Sequence, residues 1–243
     1  KLSEIRKKME DYNKTHFETK KGMAVMPMCF GISFTTTYMN QASALVHVYI
    51  DGSISVSTGG VEMGQGLKSN IAGIVAKGFG IREHRIKIES TNTTRVANMS
   101  PSAASATTAL NGNATLIAIE QMLDRLKSMV AKELGVQDTG RITIVDEKVF
   151  CDGRETDWTW DRLVQTAHLN RIDLSAHGFF ATPEIYFDKI KEKGHPFAYH
   201  IFGTAIIGVT LDCLRGTYDI DSVRIVHDLG RPLSELVDRG QIE

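Results

Sequence analysis

The spacing of apolar residues along the chain changes repeatedly, and each change predicts a different element. Residues 3–16 carry apolar side chains at helical spacing. The stretch "ALVHVYIDGSISVST" holds two β-rich runs on either side of Asp51–Gly52, a pair typical of a type I′ hairpin turn. After a glycine-rich loop, "QGLKSNIAGIVAKGFGI" returns to helical spacing. The pattern therefore predicts mixed α and β structure, the α+β class.

The rest of the chain continues this mixture. "GMAVMPMCFGISFTT" predicts an extended segment broken at Pro27, and "RIKIEST" predicts a short strand. A long helix is predicted from about residue 103 to residue 134, with Gly135 as its C-terminal cap. "ITIVDEKVFCDG" predicts a second hairpin, and "WDRLVQTAHLNRI" predicts another helix. The final apolar runs predict a β-meander with turns at Arg215–Gly216 and near Asp221.

These elements group into a helical lead-in, residues 1–20, and two lobes. The first lobe, residues 21–140, contains the loops "MGQG" and "SPSAAS". The second lobe, residues 141–243, contains the β-meander and a terminal Gly-Gln pair. A chain of 243 residues is long enough for two lobes. We therefore expect hairpins and mixed sheets with flanking helices.

Composition narrows the possible partners and the compartment. The net charge of -1 gives no sign of a nucleic-acid partner or an anionic membrane surface. No apolar run approaches the roughly 20 residues that a membrane-spanning helix needs. The three cysteines, Cys29, Cys151 and Cys213, lack the spacing of metal sites or a disulfide framework, which favours a cytoplasmic protein. The start at Lys1 and the end at "DRGQIE" suggest a piece of a longer polypeptide.

The stretch "GGVEMGQGLKSN", residues 59–70, places four glycines and a glutamine between a predicted strand and a predicted helix. A helix N-terminus that follows a glycine loop presents unpaired backbone N–H groups and so predicts an anion site. The side-chain amide of Gln65 offers two donors and an acceptor, which suits the edge of a heterocycle. A tight turn with an exposed glutamine is the alternative interpretation.

A second loop, "NMSPSAASATTALNG", residues 98–112, also precedes a predicted helix. Ser100 is a candidate N-cap, and Pro101 suits the first turn. The small residues at 102–107 would let a bulky ligand lie against the backbone, and their hydroxyls supply donors. A small-residue helix packed closely on a neighbour is the alternative. Two such helix starts together indicate a large polar ligand.

Four stretches in order, "KGMAVMPMCFGISFT", "MGQGL", "SPSAAS" and "DRGQIE", resemble the second half of the molybdopterin-binding domain of the xanthine dehydrogenase family. The resemblance runs from about residue 21 to residue 243. That family consists of molybdenum hydroxylases. The resemblance implies that the glycine loop admits the molybdenum cofactor, molybdopterin, and that Gln65 contacts it.

The resemblance also implies a role for each matching residue. The substrate pocket would include Phe34 and Thr35, whose aromatic ring and hydroxyl suit a flat heterocycle. The general base, a glutamate in a "GEPP"-like context, would lie outside this sequence, and neither Glu62 nor Glu184 stands in that context. No catalytic residue and no metal ligand is therefore expected here. The implied cofactor contacts are Gly64, Gln65, Gly66, Ser102, Ala103, Ala104, Ser105, Thr107, Gly240 and Gln241.

The implied function is that of a fragment of a hydroxylase that oxidises a purine with water as the oxygen source. FAD and 2Fe-2S clusters would sit on other domains or subunits and act as partners, together with the rest of the molybdenum-binding subunit. The isolated chain would be inactive, because the catalytic glutamate lies elsewhere.

Other interpretations stay open. A hydroxylase of the same family could act on another N-heterocycle or on an aldehyde. Outside the family, the glycine loop could bind a nucleotide, or the domain could be purely structural.

Overall fold

The computed structural model describes residues 2–103, 105–228 and 230–240. The chain forms two compact units, one of Lys1–Gly31 with Tyr199–Pro232 and one of Ile32–Ala198 with Leu233–Glu243. The α-helices are α1 (Leu2–Thr15), α2 (Leu67–Phe79), α3 (Thr107–Glu133), α4 (Trp160–Leu169) and α5 (Glu235–Gly240). The strands are β1 (Thr19–Ile32), β2 (Gln41–Val48), β3 (Ile54–Thr58), β4 (Ile86–Ile88), β5 (Ile142–Val145), β6 (Lys148–Cys151), β7 (Arg154–Thr159), β8 (Ser175–Ala181), β9 (Tyr186–Asp188), β10 (Lys193–His195), β11 (Tyr199–Asp212) and β12 (Thr217–His227).

The first unit contains α1 and a three-stranded sheet in the order β1-β11-β12. Strand β1 runs unbroken through Pro27, contrary to the prediction. Proline has no backbone N–H to donate to a neighbouring strand, but on the outer side of an edge strand no such bond is needed. Strand β1 is at the edge of this sheet. Asn13 fastens α1 to β1 through two hydrogen bonds with the backbone of Lys21, at 2.7 and 2.8 Å.

The predicted β-meander is one long antiparallel hairpin. Its turn lies at Arg215–Gly216, as predicted, with Gly216 in the left-handed region at φ 69°. The predicted turn near Asp221 is wrong, because Asp221 is the extra residue of a β-bulge within β12, where Gly208 pairs with Ser222. The strand continues because the Asp221 carboxylate accepts hydrogen bonds from the Thr210 hydroxyl and the Lys21 ammonium group.

The second unit is built on a four-stranded sheet in the order β4-β3-β2-β8. Helices α2 and α3 pack on each other, and α3 also packs on β2 and β8. Their apolar faces form the core as the helical spacing predicts. Its most buried large side chains include Val46, Val56, Ile71, Phe79, Ile119, Met122, Leu126 and Trp160.

A second sheet, in the order β5-β6-β7, shares this core through Ile142, Val149 and Trp158. The hairpin β5–β6 and helix α4 follow the prediction, whereas β7 was not predicted. Because this sheet packs into the same core as α2 and α3, the division of the chain does not coincide with boundaries at residues 20 and 140.

The hairpin turn between β2 and β3 has a different form from the predicted type I′ turn. The N–H of Gly52 donates to the Tyr49 carbonyl at 2.8 Å, and of Asp51 and Gly52 only Gly52 has a positive φ, 79°. Type I′ needs positive φ at both central residues, whereas a type I turn followed by one left-handed residue needs it once. The Asp51 carboxylate accepts from the backbone N–H and the hydroxyl of Ser53, and so stabilises this form.

Among the described residues, no helix is both long enough and apolar enough to span a membrane.

Candidate functional site

The glycine loop between β3 and α2 owes its shape to two glycines. Gly64 and Gly66 have φ values of 99° and 76°, which residues with a side chain rarely adopt. Gly66 is the N-cap of α2, and the next residue, Leu67, is buried with 2% of its surface exposed. Among the described residues, none lies within 4 Å of where a Cβ of Gly64 would be. The tip of the loop is therefore open, and these two glycines serve the turn.

The N-terminus of α2 is capped by Glu62. One carboxylate oxygen accepts hydrogen bonds from the N–H groups of Gly64 and Gly66 at 3.0 and 3.1 Å, and the other from Lys68 at 2.9 Å. These bonds, above all that from Lys68, hold the pKa of Glu62 below its usual range. Within the first turn of α2 the N–H of Lys68 is therefore not free for an external anion, contrary to the prediction.

The side chain of Gln65 folds back onto its own loop. Its Oε1 accepts from the N–H of Met63 at 2.6 Å, and its Nε2 donates to the carbonyl of Val61 at 2.7 Å. An amide of this kind has two donors and two acceptor lone pairs, so each end keeps capacity for one further bond. Gln65 is half-buried. The tight turn of the alternative interpretation is present, and both ends of the Gln65 amide are held within it.

The "SPSAAS" segment is a loop, where the sequence predicts the start of a helix. Ser105 has φ 54°, and the N–H of Ala106 donates to the Ala103 carbonyl at 3.2 Å, which closes a turn before α3. The helix begins at Thr107 with Ala106 as its N-cap and without a side-chain cap. The predicted roles of Ser100 and Pro101 are thus wrong, because the left-handed Ser105 interrupts any helix begun before it.

The two predicted loops are joined by a hydrogen bond. The backbone N–H of Val61 donates to the hydroxyl oxygen of Ser102 at 2.7 Å. Ser105 is exposed nearby in sequence, whereas Thr107 is half-buried. Ala104 lies outside the described residues. The structure therefore brings together the glycine loop and the hydroxyl-rich loop.

The glycines at the base of the loop are required by close packing. A Cβ at Gly59 would lie 2.1 Å from the Met99 side chain. A Cβ at Gly60 would lie 2.5 Å from Leu67 and 3.2 Å from Thr107. Real Cβ atoms essentially never come as close as 2.1 or 2.5 Å, so a side chain at either position would displace Met99 or the buried Leu67. Gly59 and Gly60 allow a close approach of the chain's own segments, whereas Gly64 and Gly66 provide the turn.

Asn111 lies beneath this junction with an unpaired atom. It is 4% exposed, and its Nδ2 donates to the Thr107 carbonyl at 2.9 Å, while its buried Oδ1 has no hydrogen-bond partner in the part of the chain that the structure describes. A Cβ at Gly60 would lie 3.2 Å from Nδ2, so the amide faces the glycine loop. Nothing in the sequence singles out this residue, since an asparagine within a helix is usually exposed.

The predicted substrate residues lie in a turn that Asn40 holds. Asn40 is 2% exposed; its Oδ1 accepts from the N–H of Phe34 and its Nδ2 donates to the carbonyl of Phe34, each at 2.8 Å. Phe34 is half-buried and Thr35 is exposed. Sequence reasoning missed Asn40, whose only signal is a polar residue immediately before an apolar strand.

This turn is attached to the start of α3. Ile32 and Ala42, on either side of the turn, belong to the same small apolar cluster as Ala106 and Leu110. Met99, which contacts Gly59, packs against that cluster. Three segments singled out in the sequence, residues 33–40, 59–66 and 99–107, therefore meet around one small core.

The terminal Gly-Gln pair is described only in part. Gly240 is the last residue of α5, and Gln241 lies outside the described residues. Val237, one turn before Gly240, lies 3.5 Å from where a Cβ of Gly66 would be. The last helix is therefore in contact with the glycine loop.

A family model of the molybdopterin cofactor-binding domain matches residues 1–243. This chain belongs to that family. The resemblance drawn from the four sequence stretches is confirmed, and the predicted cofactor is the one for which the family is named. Xanthine dehydrogenase of Oryza sativa subsp. japonica is 41% identical over 240 residues, and xanthine dehydrogenase/oxidase of Gallus gallus is 37% identical over 238 residues. The matches cover 99% and 98% of this chain but 16% of each relative, so the chain spans a small part of the length of these proteins.

Solved structures with low sequence identity share the fold. A Cu,Mo-CO dehydrogenase superposes with a TM-score of 0.80 at 19% identity, over 99% of this chain and 30% of that one. Quinoline 2-oxidoreductase from Pseudomonas putida 86 gives 0.79 at 17% identity, over 99% and 31%. The predicted α+β fold of a molybdenum-cofactor-binding domain is confirmed.

Proposed function

We propose that this chain forms one part of the molybdopterin site of a xanthine dehydrogenase-like hydroxylase that oxidises a purine with water as the oxygen source. The observation that carries the proposal is the hydrogen bond of 2.7 Å from Val61 to Ser102. It joins the two loops that the sequence resemblance assigns to the cofactor. The curated relatives named xanthine dehydrogenase support the purine as substrate.

The residues at this junction fit a pterin. Its ring edges carry both donors and acceptors, and the loops offer neutral amide and hydroxyl groups with remaining hydrogen-bonding capacity, those of Gln65, Ser102 and Ser105. The open space at Gly64 would let a ring approach the backbone. The proposed cofactor contacts are Gly64, Gln65, Gly66, Ser102, Ala103, Ala104, Ser105, Thr107, Gly240 and Gln241.

When bound, the molybdenum cofactor supplies the two-electron redox chemistry. The residues of this chain would hold and orient the cofactor, and would form part of the pocket. In that pocket Phe34 would stack on a flat heterocycle and Thr35 would offer a hydroxyl, with their turn fixed by Asn40. Stacking favours a purine over a small aldehyde, because the aldehyde has less aromatic surface.

The remaining parts of the enzyme would lie elsewhere. The catalytic glutamate would belong to the rest of the molybdenum-binding subunit, and FAD and 2Fe-2S clusters to other domains or subunits of a cytoplasmic enzyme. The isolated chain is accordingly expected to be inactive. Support for a partner comes from β12, where Val223, Ile225 and Val226 expose 52%, 52% and 76% of their surface. The rest of the same polypeptide would cover this strand, since relatives are about six times as long.

A mononucleotide-binding function is less well supported. It would place a phosphate at the N-terminus of α2, as glycine loops of nucleotide-binding proteins do. That position already holds the Glu62 carboxylate. A phosphate would therefore meet a like charge there.

The test is the molybdopterin content of the full-length protein. Gln65→Ala and Ser105→Ala should each lower it by about fivefold, since a lost hydrogen bond costs about 1 kcal/mol. Gln137→Ala, at an exposed glutamine after α3, is the matched control and should keep full content. Full cofactor content in both loop variants would contradict the proposal.

A further inference from the structure

The loop that carries Gln65 is held by one carboxylate. Both oxygens of Glu62 are in use: one accepts from Gly64 and Gly66 at 3.0 and 3.1 Å, and the other from Lys68 at 2.9 Å. The first two donors belong to the glycines with left-handed backbones. The third is in the first turn of α2. A single side chain therefore bonds the loop from its tip at Gly64 to the first turn of α2.

The hydrogen bonds of Gln65 alternate with those of Glu62 along the same backbone. The N–H of Met63 donates to Gln65, whereas the N–H groups on either side of Gln65, at Gly64 and Gly66, donate to Glu62. The orientation of the Gln65 amide thus depends on a backbone conformation that Glu62 holds. Glycine gives the backbone freedom to leave this conformation, because it has few steric restrictions of its own.

We propose that Glu62 is the positioning residue of the cofactor loop, and that its carboxylate fixes the left-handed turns at Gly64 and Gly66 so that the Gln65 amide meets the pterin. Glu62 has no contact with the cofactor in this proposal; it acts through the backbone. The part that concerns the cofactor rests on the proposed function above. The part that concerns the loop does not.

The loop is tested by hydrogen exchange of the full-length protein, produced in a host that makes no molybdopterin. Mass spectrometry of peptides that cover residues 61–70 would follow wild type, Glu62→Ala and Glu62→Gln. Because a hydrogen bond to a charged group is stronger than a neutral one, Glu62→Ala should speed exchange of the Gly64, Gly66 and Lys68 amides about tenfold or more. Glu62→Gln keeps one oxygen acceptor and should give a smaller increase. Glu120→Ala, which removes an exposed carboxylate from α3, is the control and should leave these peptides unchanged.

The cofactor link is tested with the same variants from a host that makes molybdopterin. The content should fall several-fold in Glu62→Ala, be partly restored in Glu62→Gln and match wild type in Glu120→Ala. Unchanged exchange in Glu62→Ala would overturn the inference at the loop. A different outcome is that Glu62→Ala exchanges faster but keeps its full cofactor content, while Gln65→Ala loses cofactor. That result would overturn the positioning role of Glu62 and leave the proposed function standing. Full content in both Glu62→Ala and Gln65→Ala would overturn both.

Discussion

At the scale of single residues, two contacts that shape the candidate site come from side chains to which the sequence analysis assigns no role. Asn40 pairs with both backbone groups of Phe34, and Glu62 caps α2. The sequence resemblance assigns roles to Gln65 and to Phe34, but neither Asn40 nor Glu62 could be assigned from spacing. Their partners are set by the conformation of a loop, which depends on backbone angles that periodicity does not encode.

The unpaired Oδ1 of Asn111 leads to a prediction about stability. Burial of an acceptor without a donor costs about 1–3 kcal/mol, and Asn111→Leu removes that acceptor at similar volume. It also removes the bond from Nδ2 to the Thr107 carbonyl, worth about 1 kcal/mol. We expect the cofactor-free protein to be stabilised by up to about 2 kcal/mol in urea unfolding.

Asn113→Leu is the matched control. In the wild-type protein the Nδ2 of Asn113 makes the same kind of bond, to the carbonyl of Ala109 at 2.7 Å, but this residue is exposed. This variant should be neutral or slightly destabilised. If Asn111→Leu proves less stable than Asn113→Leu, the Oδ1 of Asn111 has a hydrogen-bond donor in solution and the prediction is wrong.

A second residue-scale prediction concerns Phe34 and specificity. Phe34→Ala in the complete enzyme should lower kcat/KM for xanthine about fivefold more than for a small aliphatic aldehyde, which has no ring to stack. The reason is a stacking contribution of about 1 kcal/mol beyond the buried area. Phe179→Ala, at an exposed phenylalanine of β8, is the control and should affect both substrates little. Equal losses on both substrates would remove the reason for preferring a purine.

At the scale of elements, sequence periodicity predicted the regular structure well and the ends of elements poorly. Helix α2 and the β2–β3 and β5–β6 hairpins follow directly from apolar spacing, because each buries one face in the core. The start of α3 was placed too early, since small residues are compatible with a helix and nothing in their type reveals the left-handed backbone at Ser105. Pro27 by itself predicts a break, and the position of β1 at a sheet edge, where a proline is tolerated, depends on strands that lie far away in sequence.

The glycines of the loop give a prediction at this scale. Gly64 and Gly135 both have positive φ, 99° and 66°, and no described residue lies within 4 Å of where their Cβ would be. Alanine at either position should therefore cost about 1–2 kcal/mol of stability from backbone strain alone. Only Gly64→Ala should also reduce molybdopterin content, because only Gly64 lies in the proposed site. Equal cofactor content in Gly64→Ala and Gly135→Ala would mean that Gly64 serves only the turn and has no part in cofactor binding.

At the scale of the whole molecule, the sequence resemblance supplied what pattern reading could not. Family and fold followed from four ordered motifs, and both are confirmed. The grouping into units did not follow from the sequence, because residues 1–31 and 199–232 form one unit although the chain between them is long. The two segments form one unit because β1 pairs with β11. Two strands so far apart in the sequence carry no local pattern that predicts their pairing.

The central claim is that the two joined loops, residues 61–66 and 102–107, bind molybdopterin. The most direct measurement is an experimental structure of the full-length protein with its cofactor bound. We predict that the pterin lies within hydrogen-bond distance, about 3.5 Å or less, of the Gln65 amide and of a hydroxyl or N–H group in residues 102–107. A pterin that contacts neither loop would contradict the account.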